Sequence, residues 1–289
     1  MILSIGCSHS IGPYTSNDMC MRRDTKKYGK HDVLNDWPSN VFKKANKKFY
    51  HIGMPGHGIL SYYEVLQALE ASGLLVDVDK LIVQLTQEPR LVCSPTPKKL
   101  QIDIDTLLLP AMQDITEEFT LNVFTAGLIL NPYATHSMIN HVNNGLLNSK
   151  KPTAQESLFA LEMFENLNLI LGYTNVYKNI FDLVYAEIKR ICERNNIELY
   201  TFAWDFCASF ETAETSKYEK VVTIDSDKFT IIKDKFKQRL AKEYNISYNE
   251  SEEKIKEYMN DGGHYMEAGN NIANEIILEE LERQGMFNV

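Results

Sequence analysis

The sequence is short of the features that mark several protein classes. Its five cysteines, Cys7, Cys20, Cys93, Cys192 and Cys207, are odd in number and form no Cys-x-x-Cys pair. Neither a disulfide framework nor a zinc knuckle is indicated, and free thiols fit a reducing compartment. No stretch gathers enough Lys and Arg to grip a phosphate backbone, and 30 basic against 39 acidic residues leave a net charge of −9. Nucleic acid is therefore not expected as the main partner. The most basic segment, Arg22 to Lys30, is mixed with Asp24 and Tyr28 and reads as a solvated loop. No apolar run reaches the ~18 residues of a membrane span; the longest region, Phe119 to Leu130, holds 12. The opening apolar stretch has no basic residue before it and is too short for a signal peptide. A cytoplasmic protein is the expectation, with association with a virus particle as the alternative location. Repeats, low-complexity tracts and flexible linkers are also lacking, so one domain spanning residues 1–289 is expected, with an insertion at about 91–172.

What is present is an ordinary globular composition, 44% hydrophobic and 24% charged, in a chain long enough to bury a sizeable core. Ile2 to Ile5 reads as a buried strand that ends on Gly6 and a small polar cluster centred on Ser8. Pro13 to Asp32 reads as loop, and Asp36 with an early proline starts a helix through Ala45. Lys48 to Ile52 is a second strand, running into the glycine-rich turn Gly53-Met-Pro-Gly-His-Gly58. From Ile59 the positions Leu60, Tyr63, Leu66, Leu69 and Leu74 follow a helical period, and Lys80 to Leu85 is the third strand. Alternating strands and helices argue for a parallel α/β sheet that holds its ligand beyond the carboxyl ends of the strands.

Arg90 to Lys151 breaks this rhythm without a clear element. The Thr153-Ala-Gln-Glu156 capping box then opens a helix through Leu158, Leu161, Phe164 and Leu167. A second helix carries Tyr177, Ile180, Phe181, Val184, Ile188 and Ile191 on one face and ends near Asn195. Ile197 to Ala203 is the fourth strand and Lys220 to Ile224 a short fifth. Charged helical sequence follows from Phe229 to Tyr244. The tight turn Asp261-Gly-Gly-His264 precedes a closing helix with Ile272, Ile276, Ile277 and Leu281.

Three loops thus converge on one sheet edge, and a serine there becomes a nucleophile only if an oriented base takes its proton. The spacing of Asp261 and His264 lets the carboxylate reach one imidazole nitrogen and leaves the other to face Ser8. The amides of Ser8 and Gly56 can serve an oxyanion, each such donor being worth ~100- to 1,000-fold in rate. The alternatives are a turn or helix-cap role for Ser8, a capping role for His264, and a soft-metal set of Cys7, His9, His57 and His264, whose spacing follows no known ligand pattern. Tyr62, Tyr63 and Tyr133 are read as core, or as the lining of a sugar site.

Gly6-Cys-Ser-His-Ser10, the Gly53-Met-Pro-Gly56 turn, the loop after strand three and Asp261-x-x-His264-x-x-x-x-Gly269 resemble, in order, four sequence blocks of the SGNH, or GDSL-like, hydrolases. The resemblance implies a flavodoxin-like three-layer α/β/α sandwich with a central parallel sheet of about five strands and a largely helical insertion after strand three. It implies a serine esterase acting on acyl or acetyl esters, carbohydrate esters included, with neither metal nor cofactor. Ser8 takes the place of the nucleophile, His264 of the general base and acid, Asp261 of the orienting carboxylate, and Gly56 of an oxyanion donor.

Two positions depart from the pattern. Cys7 replaces the family aspartate, and Thr86-Gln-Glu-Pro89 stands where Gly-x-Asn-Asp is expected. A direct overlay puts Glu88 in place of the asparagine donor, where a carboxylate would repel an oxyanion; a shift of one residue offers the Gln87 carboxamide, which chemistry favours. Arg90 is placed to hold an anionic substrate group or to pair with Glu88, and His9 and His57 join these as substrate-binding candidates. The alternative function is a non-catalytic carbohydrate- or ligand-binding relative, or an unrelated flavodoxin-like protein that holds a phosphate at the first strand-to-helix turn. The expected partners are a small-molecule or glycan ester and, through the insertion, a second copy of the chain.

Overall fold

The computed structural model describes residues 1–10, 36–53, 58–85, 91–93, 118–122, 128–130, 176–204, 230–260 and 263–288, with the backbone alone at Ser8, 91–93, 118–122, 128–130 and 176–181. Four strands build the centre: β1 (Ile2–Gly6), β2 (Phe49–Gly53), β3 (Lys80–Leu85) and, labelled in chain order, β7 (Glu198–Ala203). They run parallel in the order β2-β1-β3-β7. Three further strands are β4 (Leu91–Cys93), β5 (Glu118–Asn122) and β6 (Leu128–Leu130). β5 pairs in parallel along the outer side of β2, while β4 and β6 form a separate antiparallel pair. These three fall in the segment expected to be a largely helical insertion; the capping box at Thr153 and the helix after it lie outside the described residues, as does the expected strand at Lys220 to Ile224.

The helices are α1 (Trp37–Ala45), α2 (Ile59–Ala71), α3 (Val176–Arg194), α4 (Ile232–Tyr244), α5 (Tyr248–Ile255) and α6 (Glu267–Arg283). Alternation along the strands decides which helix covers which face. Leu3, Ile5, Tyr50, Ile52, Leu81, Val83 and Leu85 meet α2 and α3. Ile2, Phe49, Ile82, Tyr200 and Phe202 meet α1, α4 and α6. Helices therefore lie on both sides of a parallel sheet, the α/β arrangement expected from the order of elements.

Several local expectations need correction. The buried face of α2 is Ile59, Ser61, Tyr62, Val65, Leu66 and Leu69, with Leu60 and Tyr63 only partly covered. Tyr62 is fully buried and belongs to the core, so it lines no sugar site. The helix expected from Phe229 starts at Ile232, because Thr230 and Ile231 extend the sheet: the Ala203 N–H donates to the Thr230 carbonyl at 2.9 Å and Ala203 bridges Ile231 in parallel. Helix α5 was not expected at all, yet Ser247 and Glu250 form a reciprocal capping box at its start.

Helix α1 begins as its sequence suggests. The Asp36 carboxylate accepts from the Ser39 N–H at 2.9 Å, and Pro38 occupies the first turn, where no intrahelical partner is needed for its nitrogen.

Candidate active site

The order of the strands creates the site's location. From β1 the chain passes to β2 on one side, then crosses to β3 on the other, and such a reversal of strand order is where parallel α/β sheets hold ligands beyond the carboxyl ends of their strands. The residues after β1 enter this region in a single turn of 3-10 helix, Ser8–Ser10.

On the outer side of β3, β7 ends at Ala203 and delivers Trp204. The Trp204 N–H donates to the Leu85 carbonyl at 3.2 Å, tying the ends of β7 and β3 together. The His9 ring stacks on Trp204, with centroids 4.3 Å apart and planes inclined by 21°. His9 also meets the His264 ring at 4.7 Å, inclined by 35°. Trp204 in turn packs edge-on against Tyr265 at 4.8 Å, and Tyr265 against Phe236 of α4 at 5.0 Å. A buried aromatic column thus supports two half-buried imidazoles, one from each end of the chain.

His264 is held by a compact loop. The Asn260 N–H donates to the His264 carbonyl at 2.9 Å, and the His264 N–H returns to the Asn260 side-chain oxygen at 2.9 Å. The Gly263 N–H reaches the Asn260 carbonyl at 3.0 Å, and its φ of +77° explains why glycine stands there. Met259 and Tyr265 bridge on either side, so His264 is presented immediately ahead of α6. Gly269, the glycine that closes the Asp-x-x-His block, lies against the preceding segment: a Cβ there would come within 2.6 Å of the Tyr258 carbonyl oxygen.

Beneath the β1 turn, three neighbouring strands each carry a buried polar residue on the face shared by Ile2, Phe49 and Ile82. Ser4, His51 and Gln84, from β1, β2 and β3, are fully buried, as is Ser10 in the turn itself. The Ser4 hydroxyl lies 2.7 Å from His51 Nδ1, and His51 Nε2 lies 2.8 Å from Ser10 Oγ. The Ser10 hydroxyl donates to the Cys7 carbonyl at 2.7 Å. The Gln84 side-chain oxygen accepts from the Trp37 indole at 3.3 Å, while its Nε2 has no partner among the described residues. Gly6 is wedged between them, for an added Cβ would sit 2.5 Å from Gln84 Oε1 and 2.7 Å from both Ser10 Cβ and Oγ.

The described residues bring His9 and His264 together. The side chain of Ser8 and all of Asp261, Gly56, His57, Gln87, Glu88 and Arg90 lie outside them, as does Tyr133. Cys7 is buried, and Tyr63 is engaged by Gln67 on the exposed side of α2, where Gln67 Nε2 lies 2.6 Å from its hydroxyl oxygen. Among the described residues no group of three or more His, Cys, Asp or Glu side chains is placed to hold a metal ion, and no helix is long and apolar enough to cross a membrane.

No family model, curated protein or solved structure matches the chain. The site therefore has to be judged on its own residues. Trp204, Asn260, Ser4 and His51 were not among the residues picked out from the sequence, and Ser10 only as the end of its first block. Asn260 was legible as an Asx-type residue opening a tight glycine turn. Trp204 and His51 were not, because nothing local marks a tryptophan or a strand histidine as part of a site.

Proposed function

We propose that the chain is a divergent SGNH-type serine esterase with a flavodoxin-like fold, acting on acyl or acetyl esters, those of carbohydrates among them. The observation that supports this best is the contact between His9 and His264 at 4.7 Å, which joins the residue next to Ser8 to the histidine expected to be its base. The position of the β1 turn, where the strand order reverses, favours the same reading.

In this mechanism Ser8 attacks the ester carbonyl while His264 takes its proton, and Asp261 holds the imidazole in the tautomer that can accept. The tetrahedral oxyanion is met by the amides of Ser8 and Gly56 and by the Gln87 carboxamide. His264 returns the proton to the leaving alcohol, and water then repeats the sequence on the acyl-enzyme. His9, stacked on Trp204, restrains the His264 ring laterally.

A non-catalytic ligand-binding relative is the second reading, favoured by Thr86-Gln-Glu-Pro89 in place of the asparagine donor. Hydrolysis of p-nitrophenyl acetate with fluorophosphonate labelling separates the two. Labelling that is lost in Ser8→Ala and suppressed in His264→Ala is expected; no labelling and no turnover across several acyl lengths would overturn the esterase reading and leave the binding one.

A further inference from the structure

The buried chain Ser4–His51–Ser10 has a direction that its bonds dictate. The single Ser10 hydroxyl proton is given to the Cys7 carbonyl, so His51 Nε2–H must donate to Ser10 Oγ. In the neutral ring Nδ1 then accepts from the Ser4 hydroxyl. Three hydrogen bonds of 2.7, 2.8 and 2.7 Å thus run one way, from β1 through β2 into the turn, and end on one carbonyl oxygen. That oxygen also accepts the Ser10 N–H at 3.0 Å.

The Cys7 carbonyl belongs to the same peptide group as the Ser8 N–H, and in a trans peptide the two point in opposite directions. Two donors on the oxygen draw electron density from the nitrogen and make that N–H a stronger donor, as successive bonds in a chain polarise one another. We propose that His51 is a positioning residue which, through Ser10, orients and polarises the Cys7–Ser8 peptide so that the Ser8 N–H stabilises an oxyanion. This deepens the esterase reading and rests on it. Gly6 is part of the device, since any side chain there would displace Ser10.

One oxyanion donor is worth ~100- to 1,000-fold in rate, and each bond of a chain strengthens the next by about 10–30%; that share of the donor's logarithm is a roughly 2- to 8-fold change in kcat. Ser10→Ala, His51→Leu and His51→Gln test it. The glutamine Nε2–H can replace the imidazole donor, whereas leucine cannot. The expected result is a kcat lowered roughly 2- to 8-fold in Ser10→Ala with KM unchanged, a smaller loss in His51→Leu, and recovery in His51→Gln. Ile277→Val, a core change in α6, serves as a control for destabilisation alone and should leave kcat where it is.

Nuclear magnetic resonance supplies a readout that does not depend on turnover. The His51 ring should be the Nε2–H tautomer, and the Ser8 amide proton should move upfield in Ser10→Ala. If Ser10→Ala does not fold, the His51→Leu and His51→Gln pair carries the same comparison. A wild-type kcat in the folded variants, an Nδ1–H tautomer or an unmoved Ser8 amide would overturn the proposal. If the wild-type chain turns over no ester, the esterase reading fails, and with it the oxyanion role; the amide shift then decides separately whether the chain polarises that peptide.

Discussion

Replacing Gly6 by alanine tests how tightly the β1 turn is packed. The new Cβ would lie 2.5 Å from Gln84 Oε1 and 2.7 Å from Ser10 Cβ and Oγ. Gln84 can swing aside, but Ser10 Cβ is fixed to the backbone of the turn, so the turn itself must move. Overpacking of this kind costs ~1–3 kcal/mol. Moving Ser10 also breaks its bonds to the Cys7 carbonyl and to His51, at ~1 kcal/mol each. Removing a strand glycine returns only ~0.5–1 kcal/mol.

The net loss is roughly 2–4 kcal/mol, which at ~2–4 °C per kcal/mol for a chain of this size lowers Tm by roughly 5–15 °C. Thermal melts and urea unfolding followed by far-ultraviolet circular dichroism measure this. Gly73→Ala is the comparison: its φ of +70° strains an alanine, yet nothing lies within 4 Å of the added carbon. It should lose only about 1 kcal/mol. A Gly6→Ala protein melting within ~2 °C of wild type, or no lower than Gly73→Ala, would refute the packing argument.

Three further outcomes follow from other parts of the fold. Gly269→Ala gains up to ~1 kcal/mol of helix propensity. It must nevertheless push against the Tyr258 carbonyl at 2.6 Å, so it should destabilise α6 by a net ~1–2 kcal/mol; a stabilised variant in urea unfolding would contradict this. Burial works against the Glu280 carboxylate, but hydrogen bonds from Arg283, Gln284 and Thr230 outweigh it and hold its carboxyl below the usual range. Its stabilising contribution is therefore present above the unfolded-state value near ~4.3 and lost as pH falls through the lower folded-state value. Stability measured against pH should fall less steeply below about pH 4.5 in Glu280→Gln than in wild type, and coincident curves would exclude the effect. Burial, with Glu193 adding to it, pushes the Cys192 thiol up to about 12. Alkylation of Cys192 by iodoacetamide at pH 8 should run on the order of 1,000-fold slower than that of a free thiol until urea is added, and fast labelling of the native chain would show the thiol exposed.

The alternation of strand and helix was legible because each element carries its own period. Ile2 to Ile5, Lys80 to Leu85 and the Val184–Ile188–Ile191 stripe are where their patterns put them. The register of α2 was not legible in detail, since Leu60 and Tyr63 fit a helical period as well as Ile59 and Tyr62 do, and only the neighbouring α3 and sheet select the buried set. The strand Glu118–Asn122 alternates over only five residues, and the longer apolar region Phe119 to Leu130 overlaps it and hides so short a period.

By itself the sequence determined the parallel α/β order, the capped start of α1, and two glycine-bearing motifs at opposite ends of the chain. Each follows from bonds and side-chain periods within a few residues of one another. Tertiary structure alone decided that His9 and His264 share a contact, that Trp204 is their floor, and that Ser4, His51 and Ser10 line up beneath the turn. The physical reason is distance along the chain. These partners are separated by 41 to 255 positions, so no local pattern encodes their meeting; the sheet order, set by burial on both faces, brings them together.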